Sequence, residues 1–226
     1  MNRWKVDLHS HTYWSKDCLV SFEAIIAFCA RRGVDKIAIT DHNTVDGALK
    51  MASLAPDLVI PGEEIMTNRG EILAYFVKET VPPGLSPVET LRRLRDQGAV
   101  ISVSHPFDRF RKGAWEEADL LSIKDQVDAV EVFNARCIFD EDNQKSQAFA
   151  RQHRLLGTAG SDAHSYVEYG AGHLLMDPFD SPESFRTALR TATFGGKLSP
   201  AFVHGNSSAA KWLKKLGLRS RAWEGG

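Results

Sequence analysis

The sequence predicts an α/β protein, a barrel of parallel βα units in a single domain of 226 residues. Three observations carry that expectation. Short segments rich in Val, Ile or Leu recur along the chain, as strands covered on both faces do. Segments with helical spacing and helix start signals lie between them, and that alternation makes parallel βα units. About seven such units are too many for the smallest open sheets and suit a closed barrel.

Strands are expected at residues 5–8, 36–40, 57–61, 71–77, 99–104, 129–133, 155–159 and 172–176. The first helix carries Phe22, Ile25, Ile26 and Cys29 on one face and stops at Gly33. Residues 44–54 and 142–153 are read as helices as well. Ser86-Pro87-Val88-Glu89 has the N-cap, first-turn proline and third-position glutamate of a capping box, followed by Leu91 and Leu94. Ser181-Pro182 opens another helix, with Phe185, Ala188, Leu189 and Ala192 at helical spacing. Gly195-Gly196 and Pro200 then break the pattern. Residues 1–195 are therefore taken as the barrel and 196–226 as an extension. Within the extension, residues 208–216 place Ala209, Leu213 and Leu216 on one face, and residues 211–221 hold five basic side chains and no acidic one. This tail reads as a solvated or docked terminal helix, or alternatively as a contact for a partner or a phosphate.

Composition excludes several classes. Apolar residues make up 43% and charged residues 25%, which is globular usage rather than disorder. The longest apolar run, residues 24–30, is far too short to span a membrane. No apolar stretch follows the basic N-terminus, so no secretory signal is expected. Cys18, Cys29 and Cys137 are scattered without metal or redox spacing and read as reduced thiols of a cytoplasmic protein. A net charge of -1 gives no general grip on nucleic acid.

The chemistry sits where strands end. Five of the eight histidines fall in polar clusters after strand candidates: Asp7-Leu8-His9-Ser10-His11, Thr40-Asp41-His42-Asn43, Ser104-His105-Pro106-Phe107 and Gly160-Ser161-Asp162-Ala163-His164. Gly62-Glu63-Glu64 and Glu71 add carboxylates. In a parallel barrel these ends gather at one rim, so clusters distant in sequence converge. His9 and His11, two apart on extended chain, face the same side and can share an ion. Imidazole with carboxylate suits Zn, Mn or Fe. Nine possible ligands exceed the four donors of one tetrahedral ion, so two or three divalent ions are expected.

These ordered motifs resemble the polymerase and histidinol phosphatase (PHP) family of metal-dependent phosphoesterases. His9-Ser10-His11, Thr40-Asp41-His42-Asn43, Ser104-His105-Pro106 and Gly160-Ser161-Asp162-Ala163-His164 match its four motifs, and Glu64 falls on its bridging glutamate. The resemblance covers about residues 5–176. It implies a distorted, TIM-like (β/α)7 barrel with a trinuclear centre. His9, His11, Glu64 and Asp162 would hold the first ion. Glu64 would bridge to a second, also bound by His105, and Asp17, His42 and His164 would hold a third. The chain departs from the family at Glu71, where many members have a histidine ligand of the second ion. A carboxylate can ligate there, and would move the site's preference from Zn toward Mn or Mg.

The resemblance further implies hydrolysis in which a metal-activated water, its pKa brought down toward about 7, attacks phosphorus in line. Glu64 and Asp162 act there as metal holders, and Arg136 is the expected clamp on the phosphate oxygens. Lys16 and Arg109 are weaker candidates for that clamp. Asp7 and Asp41 are expected to orient histidines, Glu63 to face solvent or stand behind the ligands, and Glu131 and Asn134 to line the pocket or fix loop backbone. His173 reads as a core or supporting histidine, His153 and His204 as structural or exposed. A small phosphomonoester, of nucleotide or sugar-phosphate type, is the expected substrate. A nuclease trimming nucleic-acid ends, an amide or ester hydrolase, and a metal-stabilised binding module are the rivals. No membrane partner is expected, and the sequence is silent on oligomeric state.

Overall fold

Every strand expected above forms. The structure, a computed structural model, describes residues 3–217. Its strands are β1 (Trp4–Asp7), β2 (Lys36–Ile39), β3 (Val59–Met66), β4 (Glu71–Tyr75), β5 (Val100–Val103), β6 (Ala129–Asn134), β7 (Leu156–Gly160), β8 (Gly172–Met176) and β9 (Thr193–Gly196). The helices are α1 (Phe22–Arg32), α2 (Asp46–Leu54), α3 (Pro87–Asp96), α4 (Glu117–Ile123), α5 (Asp140–His153), α6 (Pro182–Leu189) and α7 (Val203–Lys215). Among the described residues no helix is long and apolar enough to cross a membrane.

The strands form one sheet in the order β7-β6-β5-β4-β3-β2-β1-β8-β9. Beyond the end of β1 the sheet closes on itself: Leu8 N donates to the Ala159 carbonyl (3.1 Å) and His11 N to the Ala163 carbonyl (3.0 Å). The free edge of β1 is thus shared. Its first three residues, Trp4–Val6, pair antiparallel with β8, and the chain just past the strand joins β7 and the segment that follows. A Cβ on Gly160 would collide with His9, so only glycine lets the two edges of the seam meet. The result is an α/β barrel of seven strands, distorted at its seam.

Two strands depart from the all-parallel expectation. β4 runs antiparallel to both β3 and β5, and β8 antiparallel to β1. The β3–β4 hairpin pairs Met66 with Glu71, which brings the start of β4 to the same rim as the other strands' C-terminal ends. Thr67 Oγ1 closes that turn by accepting from Arg69 N (3.1 Å) and Gly70 N (3.0 Å). Strand alternation then places Glu71, Leu73 and Tyr75 on one face. Leu73 and Tyr75 pack with Val6, Leu8, Ile60 and Val100 in the barrel interior, whereas Ile72, Ile101, Val103 and Val130 meet the helices outside. The apolar plug fills the barrel below, and the rim above is left to polar groups.

The helix signals mostly hold. Ser21 caps α1, which ends at Gly33 with φ 60°. Ser181 and Ser184 form a reciprocal capping box on α6. At α3 only half of the expected box forms: Ser86 Oγ accepts from Glu89 N (3.3 Å), while the Glu89 carboxylate turns to Arg92 and Arg93. Strand β9 and helix α4 were not anticipated. β9 lies on an exposed edge where Gly195-Gly196 reads as a breaker, and α4 buries only Leu120 and Ile123. The basic tail forms α7, with Lys211, Lys214 and Lys215 on it; Arg219 and Arg221 lie outside the described residues.

Candidate metal centre

The rim brings all nine expected ligands together. Glu64 is at the middle, with its oxygens 3.3 Å from His9 Nε2, 3.4 Å from His11 Nε2, 2.9 Å from His42 Nδ1 and 3.2 Å from His105 Nε2. Asp162 lies 3.3 Å from His11 Nε2 and 3.7 Å from His9 Nε2. Asp17 stands 3.5 Å from His42 Nε2 and 3.3 Å from His164 Nε2. Glu71 Oε2 is 3.5 Å from His105 Nε2, on the side expected of a second-ion ligand. Ligand atoms of His11, His42 and His164, of His9, His11 and Glu64, of His9, His105 and Asp162, and of His42, Glu64 and Glu71 each converge within 4.8 Å.

Divalent ions fit this constellation. Asp17 Oδ1, Glu64 Oε2 and Asp162 Oδ1 are buried and receive no hydrogen bond among the described residues. Buried anionic oxygens without a donor are costly and call for a cation. The Nε2 atoms of His9 and His11 face each other at 3.2 Å, a convergence of lone pairs that suits a shared ion.

The surrounding side chains fix which imidazole nitrogen is free. His9 Nδ1 is 3.0 Å from Glu131 Oε1, whose other oxygen accepts from His105 N (2.8 Å) and Asn134 Nδ2 (3.1 Å). A carboxylate partner holds the proton on Nδ1 and leaves Nε2 for a metal. His11 Nδ1 meets Ser15 Oγ at 3.1 Å, and Ser15 in turn donates to Asp41 Oδ1 (2.6 Å). With its single proton given to Asp41, Ser15 accepts from His11. His164 Nδ1 donates to the Asp162 carbonyl at 2.8 Å. Asp41 therefore acts on His11 through Ser15, as an orienter should. Asp7 instead ties backbone, accepting from Ser161 N (2.9 Å) and Gly170 N (2.8 Å) across the seam. His105 and Asp162 have positive φ, 20° and 52°, a conformation that persists where surroundings over-determine it.

Titration behaviour follows from crowding. Burial alone would depress His9, but Glu64, Asp162 and Glu131 outweigh it and hold its pKa well above the ordinary value. His42 is likewise pushed up to about 10, burial being overcome by Glu64 and Asp17. His11 goes the other way, lowered by burial and by His164 and His42. Burial would raise Glu64 and Asp162, yet His9 and His42 on the first, and Arg111 and His9 on the second, hold both well below the carboxylate range. Glu71 is raised by burial and by Glu64. Protons thus take the places between these groups that a metal would take, and acid must weaken metal binding.

The arginine expectation requires correction. Arg136 is only 3% exposed and its guanidinium is committed elsewhere: Nε to Glu168 Oε1 (3.2 Å), Nη2 to Ser207 Oγ (2.7 Å) and Nη1 to the Asp162 carbonyl (3.4 Å). It braces the Asp162 loop rather than presenting a free fork. Arg111 does reach the centre, its Nη2 bonded to Asp162 Oδ2, and it keeps 22% exposure. It sits in the loop after His105, where Arg109, Arg111 and Lys112 look alike in sequence. Arg109 instead binds Asp142, and Lys16 is exposed. Glu63 is fully buried rather than solvent-facing, accepting from Val81 N at 3.0 Å on the side away from Glu64. His173 lies on β8 away from the centre, and His153 packs against Phe149 with its ring tilted by 47°.

Comparisons with known proteins agree with this architecture. A family model for the PHP domain matches residues 7–69, and one described as PHP-associated matches residues 140–194. The uncharacterized protein MJ0417 of Methanocaldococcus jannaschii is 36% identical over 199 residues, covering 84% of this chain and 80% of its own. Among solved structures, PsfC of Pseudomonas syringae aligns over 96% of this chain and 99% of its own, with TM-score 0.67 and 19% identity. A two-domain protein of Bacteroides vulgatus, described as containing a predicted PHP-like metal-dependent phosphoesterase, aligns over 86% of this chain and 65% of its own (TM-score 0.68, 21% identity). The lesion-specific endonuclease PfuEndoQ of Pyrococcus furiosus shares the fold over 85% of this chain and 57% of its own (TM-score 0.64, 16% identity). With histidine and carboxylate motifs gathered at one rim of a distorted barrel, and with these relatives, the chain belongs to the PHP family.

Proposed function

We propose that this protein is a metal-dependent phosphoesterase that hydrolyses a small phosphomonoester of nucleotide or sugar-phosphate type, using two or three divalent ions. The observation that carries the reading is the set of buried oxygens on Asp17, Glu64 and Asp162 that receive no hydrogen bond among the described residues, beside His9, His11 and His164, whose Nδ1 atoms are tied back. In this reading His9, His11, Glu64 and Asp162 hold one ion, Glu64, Glu71 and His105 a second, and Asp17, His42 and His164 a third.

Such ions, when bound, supply Lewis acidity toward phosphoryl oxygens and an activated water. The chain's own residues do the rest. Glu131, Ser15 and the Asp162 carbonyl keep Nδ1 protonated on His9, His11 and His164, so the rings cannot turn away. Arg111 offers a guanidinium fork beside Asp162 for the non-bridging oxygens. The apolar plug under the rim closes the barrel to water from below. Carboxylate at Glu71 in place of imidazole favours Mn or Mg over Zn at the second ion. Three buried free thiols support a reducing, cytoplasmic setting. Residues 1–195 would be the catalytic barrel and 196–226 an extension that carries α7.

A substrate panel tests this. The metal-loaded protein is assayed with Mn on sugar phosphates, mononucleotides and short oligonucleotides. Faster turnover of the monoesters is expected. Turnover of oligonucleotides far above mononucleotides would replace the reading with a nuclease, and silence at full metal occupancy would replace it with a binding module.

A further inference from the structure

The terminal helix α7 crosses the rim of the barrel. Near its start, Arg136 on the loop after β6 reaches the Val203 carbonyl (3.5 Å) and Ser207 Oγ (2.7 Å). Near its end, Lys214 Nζ donates to the carbonyls of Tyr13 and Ser15 on the loop after β1. Between those anchors Lys211 extends its ammonium to within 3.2 Å of Asp17 Oδ2. His204, on the first turn, has its pKa lowered by burial and by the charges of Arg136 and Arg111. The helix is therefore part of the mouth of the centre rather than a solvated tail.

We propose that Lys211 is a substrate-binding residue, which meets the phosphoryl group at the Asp17 side of the centre while Arg111 meets it at the Asp162 side. The inference rests on the phosphoesterase reading and deepens it. Among the described residues Asp17 is the acidic partner of this ammonium, and Asp17 already faces His42 and His164. Once Asp17 turns its oxygens to a cation, the lysine needs another anion, and its 53% exposure leaves it accessible from solvent. A phosphate monoester, with charge of about −1.5 to −2 at pH 7, is the anion such a mouth would take. A helix strapped across the opening also disfavours the interior of a long polymer and favours a terminal phosphate.

Binding of inorganic phosphate to the Mn-loaded full-length protein, followed by calorimetry, is the direct probe. Lys211→Ala should weaken it about tenfold, the worth of one charge-assisted hydrogen bond. Lys211→Arg should recover part of that loss, and Lys215→Ala on the same helix should change nothing. Bound metal, measured by elemental analysis, should be equal in all four proteins. With substrate, KM should rise in Lys211→Ala more than kcat falls. Unchanged phosphate affinity in Lys211→Ala overturns the proposal. So does a gain in bound metal with phosphate affinity intact, which would make the lysine a mere occupant of the third metal position. If the unaltered protein binds phosphate through Lys211 but hydrolyses no phosphoester, the function assigned above fails and the binding role stands.

Discussion

At the ends of β1 and β7 the protein itself holds the imidazoles, His9 by Glu131, His11 by Ser15 and Asp41, and His164 by the Asp162 carbonyl. At the β3–β5 corner the arrangement is looser. His105 Nδ1 has no hydrogen-bond partner among the described residues, and Glu71 has only His105, 3.5 Å away, as an ion partner. The first corner is organised before a ligand arrives, so its affinity draws on geometry already in place. The second must gain its order from what binds there. A chain that binds several ions in this way should fill its corners in sequence and lose them in reverse.

The largest expected effect tests that order. Asp162→Asn keeps a residue that tolerates the left-handed backbone at φ 52° but removes the charge, and should cost the first corner its ion and abolish turnover. Glu71→Ala should remove about one ion per chain from the second corner and leave the first occupied. Glu71→His should restore that ion with a preference moved toward Zn. Elemental analysis after dialysis reads both, and loss of every ion in Glu71→Ala would show that the corners are not separable. Full metal content and unchanged turnover in Glu71→Ala would make that carboxylate structural.

A smaller effect is expected behind the ligands. Ser15→Ala and Glu131→Gln should lower metal affinity about 10- to 100-fold without unfolding the barrel, because the rings lose the partner that sets their tautomer. Competition with a chelator measures the change. Equal affinity in both variants would mean that the ions, not the protein, order the first corner as well.

The smallest effect lies one residue from the ligands. Glu63 is buried against Val81, and burial lifts its pKa from 4.5 to about 8. A carboxyl whose folded value is raised keeps its proton in the fold. Its contribution to stability is complete below about pH 4.5 and is lost as pH rises through about 8. Glu63→Gln should remove that slope and stabilise the protein at pH 8 and above by on the order of 1 kcal/mol or more. Urea unfolding of both metal-free proteins from pH 5 to 9 shows whether the two curves diverge; parallel curves would mean that Glu63 is solvated after all.

Much of this was legible in the chain because the barrel's signals are local. Val and Ile runs mark strands and polar clusters after them mark the rim, so the histidines and most of the carboxylates that meet there could be named without knowing any contact; Asp17 came only from the resemblance to the PHP family. Glu63 and Glu64 part company because alternation alone sends them to opposite faces. The arginines were not legible in this way. Arg136 is withdrawn by Glu168 and Ser207, groups far along the chain, and Arg111 is delivered by the coil of its loop. The antiparallel turn of β8 was hidden too, since an apolar run does not announce its direction. Ser15 lies four residues after His11, a spacing with no motif, and only the fold shows that it holds the ring.

The shared edge of β1 also sets a schedule for synthesis. His9 and His11 leave the ribosome well over a hundred residues before Ala159, Ala163 and the antiparallel β8 that complete their strand. Such long-range closure comes late in folding. Until then a nascent chain carries His9, His11, Asp17, His42 and Glu64 without Asp162 or His164, enough to catch an ion but not to seat it. Metal supplied during translation would therefore risk trapping open chains, and loading after release should give more active protein than loading during synthesis.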